Sequence, residues 1–320
     1  SNDFKVNIIR ELSNTKKLPI HSSISQARIN SKEVKKNDIF FAIKGKKIDA
    51  NNFVAQAFKK KASLAIVNRI QSSLNKNKQI KIKNSLKLLT DASKIFRKNI
   101  NTKIIGITGS CGKTTLKELV GNSLKKISQV SFSPKSYNNK YGVPLSLFNL
   151  RESDDYGVLE LGMDKKGEID YLSKILQPNV SVITHTNYAH AKNFESIKGI
   201  ALAKSEIIHN TQTNGHVILN ADDRFFKFHQ NIALKKNLNV ISFGIKNLKS
   251  DVKFIKIKKK TKNFQITIEM NNLRKNFEVL NNFQSNIYNI LSTLAIMSVY
   301  EDIFKLDEKF FLNFKTPSGR

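Results

Sequence analysis

The chain has 320 residues, of which 40% are hydrophobic, and this length suits about two domains that each bury a core. No apolar run approaches the roughly 20 residues that cross a bilayer, and a single cysteine excludes an internal disulfide framework, so we expect no membrane insertion and a reducing, cytoplasmic setting. The formal net charge of +30 comes from lysines spread through every segment without a stacking aromatic motif, so we expect no nucleic-acid partner.

The first part of the chain, residues 1–98, has the pattern of one small α/β domain. A short apolar strand is predicted at 38–43 and a second at 63–68, with a helix between them at 52–62. Apolar residues recur at helical spacing over 85–100, which predicts a helix leading out of this domain.

From residue 99 to about 315 the pattern is strand, loop and helix, repeated, which indicates a mostly parallel sheet covered on both faces. Residues 264–270 then alternate apolar and polar side chains, and charged, strand-like segments flank them. This stretch predicts an antiparallel flap at the sheet edge, followed by a helix over 286–300. The predicted strands of the parallel part are 103–108, 156–162, 179–186, 216–220 and 238–244.

The stretch "GITGSCGKTT" (106–115) follows the first of these strands and precedes a helix, and it predicts a phosphate-binding loop. A glycine-rich turn at a helix N-terminus exposes several backbone N–H groups to an anion. Gly109 and Gly112 allow close approach, Lys113 supplies a cation, and the Thr114 hydroxyl is suited to Mg²⁺. We assign no catalytic role to Cys111.

Two polar residues at strand ends predict a metal site beside this loop. Glu160 interrupts an apolar strand, where an unpaired carboxylate is costly, and a metal is one suitable partner. His190 follows the strand over 179–186. Ligands of open α/β sheets bind beyond the carboxyl ends of the strands, where these two residues and the loop would converge. Lys204 lies in a helical segment and, by itself, is typical of a solvated lysine.

Taken together, the motifs resemble those of the Mur ligase family of ATP-dependent amide-bond-forming enzymes, over about residues 27–320. "INSKEVKKNDIFFAIKG" (29–45) is similar to the family segment that binds the UDP end of the substrate, and "TGSCGKTT" to its phosphate loop. "THTNYAHAKNFESIKGIALAKSEII" (184–208) resembles its metal-binding loop and helix. "NNKYGVPLSLFNL" (138–150) and "ELGMDKKGEIDYL" (160–172) resemble the branch that adds D-Ala-D-Ala to UDP-MurNAc-tripeptide.

The resemblance implies the site and its chemistry. It implies ATP and Mg²⁺ as cofactors and UDP-MurNAc-tripeptide and D-Ala-D-Ala as substrates, joined through an acyl phosphate in peptidoglycan precursor synthesis. The implied catalytic residues are Lys113, Lys204, His190 and Glu160, and the implied metal ligands are Thr114, Glu160, His190 and Lys204 as a carbamate. The implied ATP-binding residues are Thr108, Gly109, Ser110, Cys111, Gly112, Lys113, Thr114, Thr115, Asn286, Asn289 and Arg320. The implied substrate-binding residues are Ser31, Asn138 and Asn139.

The family has a third, C-terminal domain, and we expect residues 316–320 to begin the hinge that leads to it. Because much of the incoming amino-acid site lies in that domain, we expect the 320-residue chain to bind nucleotide and substrate but to be inactive. We also expect a monomer. Three alternatives stay open: another Mur ligase, a ligase similar to folylpolyglutamate synthetase, and, from a different class, a nucleic-acid-binding P-loop ATPase.

Overall fold

The secondary structure is taken from a computed structural model, which describes residues 2–16, 18, 24–187 and 191–314. No helix among these residues is both long and apolar enough to span a membrane. The strands are β1 (Ala27–Arg28), β2 (Ile39–Phe41), β3 (Leu64–Val67), β4 (Gln79–Lys81), β5 (Lys103–Thr108), β6 (Val130–Phe132), β7 (Tyr156–Glu160), β8 (Val180–Ile183), β9 (His216–Asn220), β10 (Asn239–Gly244), β11 (Val252–Lys259), β12 (Phe264–Met270) and β13 (Leu273–Val279). The α-helices are α1 (Asn2–Ser13), α2 (Val54–Lys59), α3 (Ser85–Lys98), α4 (Lys113–Lys125), α5 (Gly142–Phe148), α6 (Glu168–Leu176), α7 (Ile197–Lys204), α8 (Glu206–His209), α9 (Phe226–Lys235) and α10 (Gln284–Met297).

The chain divides into two units, of which the first comprises residues 1–101 and 140–152. Its sheet has the order β1-β2-β3-β4, with all neighbouring strands parallel. Helix α3 begins at the cap Asn84, whose side chain accepts a hydrogen bond from the Lys87 N–H. Its buried Phe96 packs edge-on against Phe148 of α5, with the ring centroids 5.9 Å apart.

The predicted boundary at residues 98 and 99 assigned the segment 140–152 to the second domain, whereas in the structure this segment packs with the first unit. Helix α5 lies against α3, and the side chain of Asn149 bonds the backbone of Ala27 in both directions, at 2.8 and 2.9 Å. The sequence pattern could not predict this return, because the contact joins residues 122 positions apart.

The second unit comprises residues 102–139 and 153–320 and contains a nine-stranded sheet in the order β13-β12-β11-β10-β9-β8-β5-β7-β6. Strands β5 to β11 pair with one another in parallel. At one edge of the sheet, β12 pairs antiparallel with both β11 and β13. The α/β class, the mostly parallel sheet and the antiparallel edge flap predicted from the sequence are therefore confirmed.

The position of the central strand explains where the site forms. β5 is hydrogen-bonded to β7 on one side and to β8 on the other, so the chain leaves β5 in one direction and later returns on its other side. In open α/β sheets this switch point leaves a crevice outside the carboxyl ends of the strands. The two flanking strands, β7 and β8, are buried along their whole length, as β5 is after Lys103. The phosphate loop begins at this crevice, directly after Thr108.

Candidate active site

The phosphate loop joins the end of β5 to the N-terminus of α4. Gly112 is the N-cap of α4 and has a φ of 77°, in the left-handed region that favours glycine. The Nζ of Lys113 donates a hydrogen bond to the carbonyl oxygen of Gly109 at 3.1 Å. The loop thus presents the helix N-terminus together with a lysine, the arrangement that binds phosphate in proteins.

The segment after β8 holds this loop in place from the side. The N–H of Ser110 donates to the carbonyl of His185 at 3.1 Å, and its hydroxyl bonds the backbone of Asn187. Gly109, with a φ of 155°, lies so close to Thr184 that an added Cβ would be 1.7 Å from the Oγ1 atom of that threonine. The loop conformation therefore depends on glycine at position 109.

We expect the substitution Gly109→Ala to disrupt the phosphate loop. Overpacking of this kind costs about 1–3 kcal/mol of stability, and displacement of the loop should weaken ADP binding by roughly tenfold or more. Thermal unfolding and an ADP titration measure the two effects. Gly199→Ala, in α7, is the matched control, because a Cβ there would meet its nearest atoms at 3.7 Å, an ordinary van der Waals distance. Unchanged ADP affinity in Gly109→Ala would contradict the prediction.

Glu160, the last residue of β7, lies at the carboxyl end of the sheet and is fully buried, with an exposed fraction of 0%. The hydroxyl of Thr114 donates to its carboxylate at 2.8 Å from Oε1 and 3.1 Å from Oε2. The Nδ2 of Asn138 donates to Oε2 at 3.2 Å. The structure therefore joins the predicted metal ligands Thr114 and Glu160 to the predicted substrate residue Asn138.

A lysine that the sequence analysis did not single out completes the surroundings of this carboxylate. Lys117 has an exposed fraction of 0%, and its Nζ lies 3.1 Å from Oε1 of Glu160. It also donates to the backbone carbonyl of Lys135. The available signal was its place on α4, three residues after Thr114 and therefore on the same helix face.

Lys204 is the last residue of α7 and is buried, with an exposed fraction of 3%. Burial, and next the positive charge of Lys113, lower the pKa of its ammonium group to about 7. The neutral amine is therefore more accessible near pH 7 than it is for an ordinary lysine. The helical pattern alone suggested a solvated lysine at position 204, whereas the structure buries it.

A cavity of about 580 Å³ opens beside the phosphate loop and is lined entirely by residues of the second unit. Cys111, Gly112 and Thr115 form one wall, and Tyr288 and Asn289 of α10 contribute to another. The Sγ of Cys111 lies 3.1 Å from the Nε2 of His185, whose pKa is lowered mainly by burial. The size and position of the cavity suit the base and sugar of a nucleotide whose phosphates lie on the loop.

Asp222 shapes this cavity by holding a turn and an aromatic side chain together. Its carboxylate accepts hydrogen bonds from the backbone N–H groups of Ile245, Lys246 and Asn247 and, at 2.8 Å, from the hydroxyl of Tyr288. Burial opposes ionisation of Asp222, but these hydrogen bonds outweigh it and lower the pKa of the carboxyl. The sequence analysis gave neither Asp222 nor Tyr288 a role, because their contact joins residues 66 positions apart.

The other predicted site residues are distributed as follows. Ser31 lies in the first unit and is buried, with its hydroxyl donating to Oε1 of Gln56 at 2.7 Å. Asn139 is exposed, and the half-buried Asn286 does not line the cavity described above, whereas Asn289 does. The predictions for His190 and Arg320 fall outside the described residues. Among the described residues, no three His, Cys, Asp or Glu side chains form a metal-binding group.

Comparison with known proteins identifies Mur ligases by sequence and by structure. The sequence profile of the Mur ligase middle domain matches residues 107–297. A UDP-N-acetylmuramoyl-tripeptide–D-alanyl-D-alanine ligase of Buchnera aphidicola subsp. Acyrthosiphon pisum is 36% identical over 228 residues, 71% of this chain and 49% of the relative. The chain thus spans about half the length of the curated relatives that it matches.

The solved structures that resemble this chain include MurF ligases. A crystal structure of MurF from Acinetobacter baumannii superposes with a TM-score of 0.80 at 28% identity, covering 93% of this chain and 65% of the other. The MurF ligase of Thermotoga maritima, solved in complex with ADP, gives a TM-score of 0.77 at 27% identity over 92% of this chain and 67% of the other.

Proposed function

The chain belongs to the Mur ligase family, and from this premise we propose that the complete protein is an ATP-dependent ligase that joins D-Ala-D-Ala to UDP-MurNAc-tripeptide. The observation that carries the proposal is the meeting of the phosphate loop with a buried carboxylate, seen in the 2.8 Å hydrogen bond from Thr114 to Glu160. The choice of substrates is supported by the names of the relatives at 31–36% identity.

In the first half of the proposed reaction, a carboxylate oxygen of the peptide attacks the γ-phosphorus of ATP. An acyl phosphate forms and ADP leaves. The developing charge is on the phosphoryl oxygens, so the main task of the protein is positioning and electrostatic stabilisation. We assign this task to Lys113 and to the N–H groups at the start of α4, because they lie on the loop that would hold the phosphates.

In the second half, the amine of D-Ala-D-Ala attacks the acyl carbon. The tetrahedral intermediate collapses to the amide with inorganic phosphate as the leaving group, and the amine loses its proton. We assign Asn138 and Asn139 to the positioning of the peptide and Ser31 to a contact with the uracil. Asn286, Asn289 and Arg320 are assigned to the nucleotide.

The oxygen donors around Glu160 fit Mg²⁺. This ion prefers hard oxygen ligands and is commonly held by one or two carboxylates together with substrate phosphates, which agrees with one fully buried carboxylate beside the Thr114 hydroxyl. When bound, Mg²⁺ neutralises phosphate charge during transfer. Thr114 and Glu160 would hold one ion, and Glu160, His190 and a carbamate of Lys204 a second.

Release of phosphate from ATP tests the proposed function. With the complete protein, including any sequence that its gene encodes after residue 320, we expect release that requires both UDP-MurNAc-tripeptide and D-Ala-D-Ala. The matched controls omit either substrate, or replace the dipeptide by a single amino acid.

Each alternative has its own outcome in this assay. Release with a single amino acid and the UDP-peptide would assign the protein to another Mur reaction, and release with a folate and glutamate would favour a folylpolyglutamate synthetase-like ligase. Release stimulated by DNA, with a steep dependence on salt, would favour the nucleic-acid-binding ATPase. That the protein acts as a cytoplasmic monomer stays a prediction.

A further inference from the structure

The buried carboxylate of Glu160 already has a cationic partner within the protein. The Nζ of Lys117 lies 3.1 Å from its Oε1 atom, and both side chains have an exposed fraction of 0%. The hydroxyl of Thr114 and the amide of Asn138 complete the donors to the two carboxylate oxygens. Both carboxylate oxygens therefore have donors from the protein itself, without an external ion.

Lys117 differs from the neighbouring phosphate-loop lysine in what it contacts. Lys113 lies at the first position of α4 and donates to Gly109 within the loop. Lys117 lies one turn further along and donates to the backbone of Lys135 as well as to Glu160. Lys117 contacts Glu160 directly, so we expect its effect on a ligand to pass through that carboxylate.

The charges at this site determine how strongly it attracts a divalent cation. Glu160 and Lys117 together carry no net charge, and within the described ranges no cluster of three acidic, histidine or cysteine side chains is present. A divalent ion at Glu160 would be attracted by the carboxylate and repelled by Lys117, whose Nζ lies 3.1 Å from Oε1. Nucleotide phosphates would supply the missing negative charge.

We propose that Lys117 makes metal binding at Glu160 conditional on bound nucleotide, so that the site rejects a free divalent cation and accepts one that arrives with phosphates. Lys117 is thus a positioning and charge-balancing residue. It would still hold the carboxylate if the Thr114 hydroxyl, which now donates to Glu160, bound the metal instead. The inference rests on the assignment of Glu160 as a metal ligand in the proposed function.

Binding of Mn²⁺, used as a paramagnetic substitute for Mg²⁺ and followed by electron paramagnetic resonance, tests the inference without measuring activity. For the complete wild-type protein we expect bound Mn²⁺ with ADP present and, without ADP, no site tighter than millimolar. Lys117→Gln removes the charge but keeps a hydrogen-bond donor. It should create an ADP-independent site that is at least about tenfold tighter than any in the wild type.

Two control variants make the result specific. Lys125→Gln removes one charge from the exposed end of the same helix and should behave as the wild type does. The double variant Lys117→Gln with Glu160→Gln should lose the gained site, because the carboxylate is its ligand. A folded Lys117→Gln variant with no ADP-independent Mn²⁺ site would overturn the inference. So would a wild-type site that forms without ADP and disappears in Glu160→Gln, a result that needs no Lys117 variant to fold.

The same titrations separate this inference from the proposed function. If Glu160→Gln binds Mn²⁺ in the presence of ADP as tightly as the wild type, the metal assignment itself fails. If Glu160→Gln loses that binding while Lys117→Gln gains no ADP-independent site, the metal assignment stands and only the role of Lys117 fails.

Discussion

Replacing Lys113 with alanine is expected to abolish ATP-dependent ligation. Its Nζ is held over the loop by the carbonyl of Gly109, 3.1 Å away, at the N-terminus of α4. In the proposed reaction, a charge at this place would stabilise the phosphoryl oxygens as they gain charge in the transition state. Removal of one such donor from an active site costs about 10²–10³-fold in kcat, and removal of a full cation costs at least as much.

The measurement is phosphate release by the complete protein with all three substrates at saturation. Lys125→Ala is the matched control, since it removes a lysine from the exposed C-terminal end of the same helix and should leave the rate unchanged. Thermal unfolding establishes that both variants are folded. Ligation that persists in Lys113→Ala would show that the phosphate-loop assignment is wrong.

Replacing Lys204 with alanine is expected to slow the reaction by at least about 100-fold. Loss of a residue that only hydrogen-bonds a metal ligand typically lowers activity about 10–100-fold, and loss of the ligand itself should lower it more. A protonated lysine repels Mg²⁺. Addition of CO₂ to the neutral amine, with loss of a proton, converts the side chain into a carbamate whose oxygens suit a hard cation. The burial of Lys204, with an exposed fraction of 3%, supports a role other than solvation.

Chemical rescue is the measurement that distinguishes this role from a structural one. Short carboxylic acids such as acetate can occupy the space left by the side chain and supply the missing oxygens, so they should restore part of the activity of Lys204→Ala. They should have no effect on the wild type. Lys198→Ala, on the exposed side of the same helix, is the matched control. Wild-type activity of Lys204→Ala without any added acid would disprove the carbamate.

The proposed role of Lys117 determines the order in which metal and nucleotide bind. A metal that binds only with nucleotide arrives as a complex with its phosphates, and the carboxylate is not occupied by a free cation beforehand. In the proposed scheme, Lys117 thus lowers the affinity of Glu160 for a free cation while it leaves the carboxylate available to a metal bound with nucleotide.

The sequence by itself determined the features that depend on short stretches of chain. The phosphate loop at 106–115 needs glycines, a lysine and a hydroxyl residue in fixed order between a strand and a helix, so it can be recognised locally. The edge flap around β12 is equally local, because alternation along one strand identifies its buried face. That Glu160 needs a partner also followed from its apolar neighbours.

Only the tertiary structure decided which partners these residues have. The lysine that neutralises Glu160 is 43 residues away along the chain, and the tyrosine that bonds Asp222 is 66 residues away. Many lysines are distributed through the sequence, and nothing in their spacing distinguishes the buried Lys117 from the solvated ones. Burial of a charge is a property of how helices and strands pack together, so it is fixed when α4 is packed on the sheet and not by any local pattern.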